Sequence, residues 1–179
     1  FESIGLPLDV LFAAEIADWA TPDNLIVESF EQTVLGQIRE RGVPGRYVFL
    51  CEAAGSPPDL VARFGRKALP YSAHLTSAGL ARLATEVDGI SVDKKLLLRT
   101  DATGTVVGTT DLVERAHAAG LEIYTWTLRA ENRFLGKGMR RGSAPSHFGQ
   151  WRREFRLILD TGIDGVFADQ PDLVFEALA

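Results

Sequence analysis

The chain is poor in the residues that build redox and metal motifs. It has one cysteine, Cys51, and three histidines among 179 residues. A single cysteine excludes an intramolecular disulfide and leaves the redox compartment open. No two histidines have i,i+4 spacing on a helix, so the histidines predict no metal site. Because Cys51 has no neighbouring His or Lys in sequence, we expect it to be a small buried apolar residue.

Long apolar runs and an excess of basic charge are also lacking. No uninterrupted apolar stretch approaches the roughly 20 residues that cross a bilayer, so no membrane span is predicted. The formal net charge of -5 gives no electrostatic attraction to nucleic acid, which is therefore not an expected partner. The chain has no Walker loop, no G-x-G-x-x-G after a strand and no G-x-S-x-G elbow, which excludes assignments that depend on those motifs.

What the chain does contain is a repeated junction, in which an amphipathic helix ends at glycine and an apolar β-run follows. Gly42, Gly120 and Gly162 stand where a left-handed helix cap is wanted. Two further apolar runs complete five expected strands, and their alternation with helices predicts a parallel sheet, either open or closed into a barrel. The expected strands are residues 25–30, 47–51, 89–92, 121–126 and 165–168.

Two features of composition bound the organisation of the chain. Its 46% hydrophobic content is typical of one globular domain or part of one. Residues 136–149 carry four glycines and one proline, which predicts a long loop of the kind that is often functional.

Ligands of parallel α/β folds bind at the carboxyl ends of the strands, so polar residues there are the candidate site residues. Glu28 lies near the end of an otherwise apolar strand. A buried carboxylate costs free energy unless it is paired or solvated, which favours a site position. Phe30 faces the same side as Glu28 because side chains alternate along a strand.

The stretch 125–132 places further candidates just past an apolar run, at the expected mouth of the site. Trp126 could cover an apolar part of a ligand or plug the core, and Asn132 is expected at the same rim. Arg129 could offer its planar donor fork to a phosphate or remain a solvated loop residue. Asp169 and Gln170 precede a proline that suits the first turn of a helix, so a capping role and a site role both stay open.

Several stretches resemble a known family. The segment "TWTLRAENRFLG", followed by a Gly-rich loop and "EFRLILDTGIDGVFADQPDLV", is similar to the carboxyl-terminal part of the glycerophosphodiester phosphodiesterase family, and "NLIVESFEQTVL" and "GISVDKKLLL" extend the likeness upstream. That family adopts the eightfold TIM barrel. The resemblance therefore implies an α/β fold in which residues 1–179 are the C-terminal five or so βα units of one TIM (β/α)8 barrel domain.

The resemblance also implies that something precedes these units. The opening "FESIGL" resembles the segment just after the strand that carries the family's last metal ligand, and Phe1 is no natural initiator. We therefore expect the N-terminal part of the same barrel to be missing. We expect the catalytic histidines and the ligands of a divalent cation, calcium or magnesium, to lie in that missing part. No catalytic residue and no metal ligand is therefore expected in this chain.

The activity that the resemblance implies is metal-dependent hydrolysis of a small-molecule glycerophosphodiester to glycerol 3-phosphate and an alcohol. By position, the residues expected to line the glycerol and alcohol sides of the substrate are Glu28, Phe30, Trp126, Arg129 and Asp169. The fragment alone is expected to be inactive.

Other interpretations stay open beside this one. A non-catalytic module that binds phosphate or a phosphosugar, on a barrel or on an open α/β sheet, is the main alternative, and a phospholipase-type relative is a narrower one. Phe49 stands where many relatives have Gln, which implies a changed substrate wall. The long loop after Leu135 resembles the exported bacterial branch, so an extracellular or periplasmic location is favoured over a cytoplasmic one.

Overall fold

The computed structural model describes residues 4–179, so the part of "FESIGL" that falls on residues 1–3 lies outside the described residues. The chain divides into two units. Unit 1 runs to Ser91 and includes Ala119–Leu121, and unit 2 comprises Val92–Ala118 and Glu122–Ala179. No helix among the described residues is both long enough and apolar enough to span a bilayer.

Unit 1 alternates strands and helices. β1 and β2 are parallel, with Val27 opposite Tyr47 and Glu28 opposite Val48. The middle strand β2 is almost entirely apolar and buried, as expected for a strand covered on both faces. The elements are α1 Leu8–Ile16, β1 Ile26–Ser29, α2 Gln32–Glu40, β2 Arg46–Cys51, α3 Pro58–Phe64, α4 Tyr71–His74, α5 Ser77–Leu83 and β3 Gly89–Asp93, the last of which extends into unit 2.

Unit 2 contains the parallel pair β6 and β7, with Thr125 opposite Val166, and an antiparallel hairpin. The hairpin, β4 with β5, is missing from the sequence-based expectation. The elements are β4 Leu98–Thr100, β5 Val106–Thr109, α6 Leu112–Ala118, β6 Glu122–Leu128, α7 Trp151–Leu159, β7 Gly165–Ala168 and α8 Pro171–Leu178.

The five expected strands are confirmed as β1, β2, β3, β6 and β7, which is also their order in the sheet. The expected helix ends are confirmed as well, because Gly42, Gly120 and Gly162 have φ of 75°, 81° and 80°, the left-handed region that glycine tolerates. Residues 136–149 form the expected loop before α7, and Cys51 is fully buried as predicted.

In each unit, an aspartate directly before a strand makes the same pair of hydrogen bonds with the neighbouring strand. In unit 1, the Asp88 carboxylate just before β3 accepts a hydrogen bond from the Tyr47 backbone N–H at 2.7 Å. In unit 2, the Asp164 carboxylate just before β7 accepts one from the Ile123 backbone N–H at 2.7 Å. Each aspartate also returns its own N–H to the carbonyl of the same partner residue. The aspartates thus fix where neighbouring strands begin to pair.

We expect Asp164→Ala to lower the free energy of unfolding by about 1–3 kcal/mol, because it leaves the N–H of the fully buried Ile123 without its acceptor. Urea unfolding followed by circular dichroism measures the difference. Asp160→Ala is the matched control, since Asp160 makes only an exposed contact of 3.6 Å with Arg156 and should change stability by less than about 0.5 kcal/mol. Equal effects of the two substitutions would contradict the role of Asp164.

Candidate functional site

The carboxyl ends of β6 and β7 bring together two of the expected site residues. Arg129 Nε donates to Asp169 Oδ2 at 2.6 Å, and the guanidinium carbon lies 4.5 Å from the centre of the Phe134 ring. The Arg129 side chain is 34% exposed and that of Asp169 is 47% exposed. The carboxylate and the ring therefore orient the guanidinium, while its terminal N–H groups remain free to donate to a ligand.

This ion pair bears on the capping role left open for Asp169 and Gln170. α8 begins at Pro171, as the sequence predicts, and Gln170 is its N-cap without a side-chain cap hydrogen bond. The expectation that Asp169 or Gln170 caps the helix is wrong. Asp169 instead directs its carboxylate to Arg129, whose cation offers a stronger, charge-assisted hydrogen bond than a backbone amide.

Trp126 lies on β6, on the strand face opposite to Thr125. Thr125 is fully buried and donates to the Val92 carbonyl at 2.8 Å, so it is a structural residue. Tyr124 packs over Gly165, where an added Cβ would lie 2.8 Å from the ring. Trp126 is half-buried rather than enclosed, and the Trp126–Thr127 peptide bond is cis. The Trp126 side chain is thus only partly enclosed.

Asn132 does not lie at the rim of the site, and that expectation is wrong. It is 3% exposed, and its amide nitrogen donates to the carbonyls of Arg141 at 2.6 Å and Ala144 at 2.9 Å. Its amide oxygen accepts from the Arg141 N–H at 2.9 Å. A long loop must find partners for its backbone groups, and a side-chain amide supplies a donor and an acceptor at once. Asn132 therefore organises the loop.

In unit 1, Glu28 and Phe30 are each half-buried at the end of β1. Glu28 Oε1 is buried and has no hydrogen-bond partner among residues 4–179. Burial raises the pKa of the Glu28 carboxyl above its ordinary value of 4.5, because removal from water disfavours the charged form. A buried carboxylate oxygen without a hydrogen-bond partner, at the end of a strand, is typical of an acid that contacts a ligand.

Phe49 is not part of an open wall. It is fully buried, and its ring lies 5.5 Å from the His74 ring and 6.1 Å from the Tyr71 ring, both on α4. Its register partner is Ser29, so it faces away from the side of β1 that carries Glu28. The expectation that Phe49 alters the substrate wall is wrong, because its strand position directs the ring into the core.

A buried ion pair in unit 2 was missed by the sequence reasoning. Lys94, just after β3, donates to Glu154 Oε1 of α7 at 2.5 Å, and Glu154 Oε2 accepts from the Gly136 N–H at 2.6 Å. Glu154 is fully buried. The signal was present, because Glu154 shares a helical face with the apolar Ile158 one turn later. Its partner, however, is 60 residues away in sequence.

The described residues do not fit the implied divalent cation. Within residues 4–179, no three His, Cys, Asp or Glu side chains lie together so that they could hold a metal ion. Calcium and magnesium are bound by several oxygen ligands that converge on one point. No catalytic step through a metal follows from these residues.

The chain belongs to the glycerophosphoryl diester phosphodiesterase family, whose model matches residues 7–173. Membership implies the TIM barrel, and the alternating helices and parallel strands of the described residues agree with that α/β fold. Among curated proteins, none matches the chain.

A solved structure has a similar fold. It is a crystal structure from Silicibacter pomeroyi DSS-3 of a protein assigned as a glycerophosphoryl diester phosphodiesterase, with 16% identity and a TM-score of 0.57. The match covers 96% of this chain and 43% of that one, so the present chain spans less than half of the length of that structure.

We expect Glu154→Gln to lower the free energy of unfolding by about 3–5 kcal/mol, because it leaves the Lys94 ammonium buried without a counter-charge. The double variant Lys94→Met/Glu154→Gln should recover much of this loss, since no charge remains buried and the new amide oxygen can still accept from Gly136. Chemical unfolding of the parent, the single variants Lys94→Met and Glu154→Gln and the double variant gives the coupling free energy of the pair. No recovery in the double variant would show that the pair is not electrostatically coupled.

We expect Glu28→Gln to stabilise the fold at neutral pH and to have little effect in acid. The folded-state pKa of Glu28 is raised, so the unfavourable ionisation is absent below the ordinary value of 4.5 and fully present above the folded-state pKa. The stability difference between variant and parent should therefore grow as pH rises through that window. Unfolding free energies measured from about pH 4 to about pH 8 test this, and a difference independent of pH would refute it.

Proposed function

We propose that this chain is the substrate-binding part of a glycerophosphodiester phosphodiesterase, which hydrolyses small glycerophosphodiesters to glycerol 3-phosphate and an alcohol. The observation that carries the proposal is the family match over residues 7–173. In this hydrolysis, water adds at phosphorus, the bond between phosphorus and the alcohol oxygen breaks, and the alcohol leaves with a proton. The described residues supply binding groups rather than the acid that gives this proton.

The proposed roles follow from the local contacts of each residue. Arg129, oriented by Asp169, donates to a phosphate oxygen, and Trp126 packs against the apolar carbons of the substrate. In unit 1, Glu28 accepts a hydroxyl hydrogen bond through its orphaned oxygen, and Phe30 contributes apolar contact. The support for these roles is the free donor and acceptor capacity of Arg129 and Glu28 and the half-buried position of the two aromatic rings.

We propose that the catalytic histidines and the ligands of a calcium or magnesium ion belong to further strands of the same barrel. The apolar surface at the last elements of unit 2 supports this, since Phe167 is 47% and Phe175 72% exposed. Exposed aromatic side chains on an edge strand and its helix are a surface that more of the barrel would cover.

The test is hydrolysis of glycerophosphocholine with added calcium or magnesium. The 179-residue chain should release no choline above background, whereas a longer polypeptide that includes the family's N-terminal strands should release it. In that polypeptide, Arg129→Gln should lower kcat/KM by about tenfold or more through the loss of a charge-assisted hydrogen bond. Arg133→Gln is the matched control, because Arg133 also stacks on Phe134 but does not contact Asp169.

Each outcome separates the alternatives. Turnover by the 179-residue chain would contradict the proposal that the catalytic centre lies elsewhere. A longer polypeptide that folds and binds glycerophosphocholine without hydrolysing it would contradict the enzymatic proposal and favour the non-catalytic binding module.

A further inference from the structure

A cleft of about 730 Å³ in unit 2 is lined by the first turns of α7, the end of the long loop and the end of α8. Four of its nine lining residues are arginines, namely Arg141, Arg152, Arg153 and Arg156. None of the residues expected to bind the diester substrate lines it. The whole chain has a net charge of -5, so the positive charge of this cleft is a local concentration and not a general property of the surface.

Two of the arginines are held in place by backbone carbonyls. Arg152 donates through Nε to the Glu176 carbonyl at 3.1 Å and also through Nη2, and Arg156 Nη1 donates to the Ala177 carbonyl at 2.6 Å. These carbonyls belong to the last turn of α8, Pro171–Leu178. Arg152 and Arg156 are therefore held in the wall of the cleft, and Arg156 Nε also lies 3.6 Å from the Asp160 carboxylate.

Arg141 and Arg153 are the other two arginines of the cleft. Among the residues that the structure describes, no carboxylate forms an ion pair with the guanidinium of Arg141 or Arg153. The backbone of Arg141 is fixed, since both its N–H and its carbonyl bond to the buried Asn132 side chain. Trp151 stacks edge-on against the buried Phe155, with ring centres 5.5 Å apart, and adds a rigid aromatic wall. Within residues 4–179, the guanidinium groups of Arg141 and Arg153 thus line the cleft without an ion-pair partner, beside side chains that are held in place.

We propose that this cleft binds a phosphate monoester or polyphosphate group. Guanidinium forks match phosphate oxygens in pairs, and a group with two or more negative charges can use both Arg141 and Arg153. Arg152 and Arg156 are already held in place, so little ordering is required when the anion binds. The ligand is either a soluble phosphorylated molecule or the monoester headgroup of a lipid, because both present the same chemistry.

The experiment titrates the chain with sodium pyrophosphate by calorimetry and, separately, measures co-sedimentation with phosphatidylcholine vesicles that contain phosphatidic acid. Arg141→Gln/Arg153→Gln should weaken binding by roughly 100-fold, since each substitution removes a charge-assisted hydrogen bond and should weaken binding about tenfold. Arg66→Gln, which removes an exposed arginine of unit 1 outside the cleft, should leave binding unchanged. Arg152 and Arg156 are not substituted, because their side chains donate hydrogen bonds to backbone carbonyls of α8. Thermal melting checks that the variants fold.

Binding to either probe that weakens in the double variant and persists in Arg66→Gln supports the proposal, and the probe that binds identifies a soluble or a lipid source. Binding should also weaken as salt is raised, since exposed charges are screened. Failure of both probes to bind the parent chain, or equal affinity of the folded double variant and the parent, overturns the proposal.

Discussion

The buried ion pair between Lys94 and Glu154 is the interaction on which the arrangement of unit 2 depends. Burial of two charges costs several kcal/mol for each ion, so the pair is stable only when geometry and further hydrogen bonds offset that cost. Glu154 meets this condition because its second oxygen accepts the Gly136 N–H. The pair therefore forms only when the end of β3, the helix α7 and the start of the long loop are together. Gly136 packs so closely on Val106 that a Cβ at this position would collide with the Val106 side chain.

The long loop, residues 136–149, is consequently tied to the elements on either side of it. Gly136 is tied to α7 by Glu154, and Asn132 ties its own turn to Arg141 and Ala144. Gly149 packs so closely on Asn132 that an added Cβ would lie 2.6 Å from its amide oxygen. Arg129 precedes this loop, directly after β6, and its guanidinium is oriented by the Asp169 carboxylate and the Phe134 ring. A guanidinium that is already oriented loses less freedom when it binds a ligand.

Much of the fold was predictable because it depends on local signals. Apolar runs and left-handed glycines marked β2, β6 and the helix ends. The β4–β5 hairpin was missed because each of its strands buries only one residue and neither forms an apolar run. Part of the site could not be predicted, since the roles of Asn132 and Glu154 depend on where distant backbone returns in space. The Asp-Gly pairs at 88–89 and 164–165 were readable in the sequence, and their repetition before two strands is the signal that was overlooked.

Charge balance separates the two phosphate-binding regions proposed for unit 2. Arg129 is neutralised in part by Asp169, at 2.6 Å, so it offers donors with little net charge. Such a group suits the single negative charge of a phosphodiester and would hold a dianion poorly, because the carboxylate repels added charge. Arg141 and Arg153 have no such partner among the described residues, and their combined charge suits a monoester or polyphosphate. The two regions should therefore discriminate by ligand charge even though both use guanidinium groups, and a diester substrate should not compete for the arginine-lined cleft.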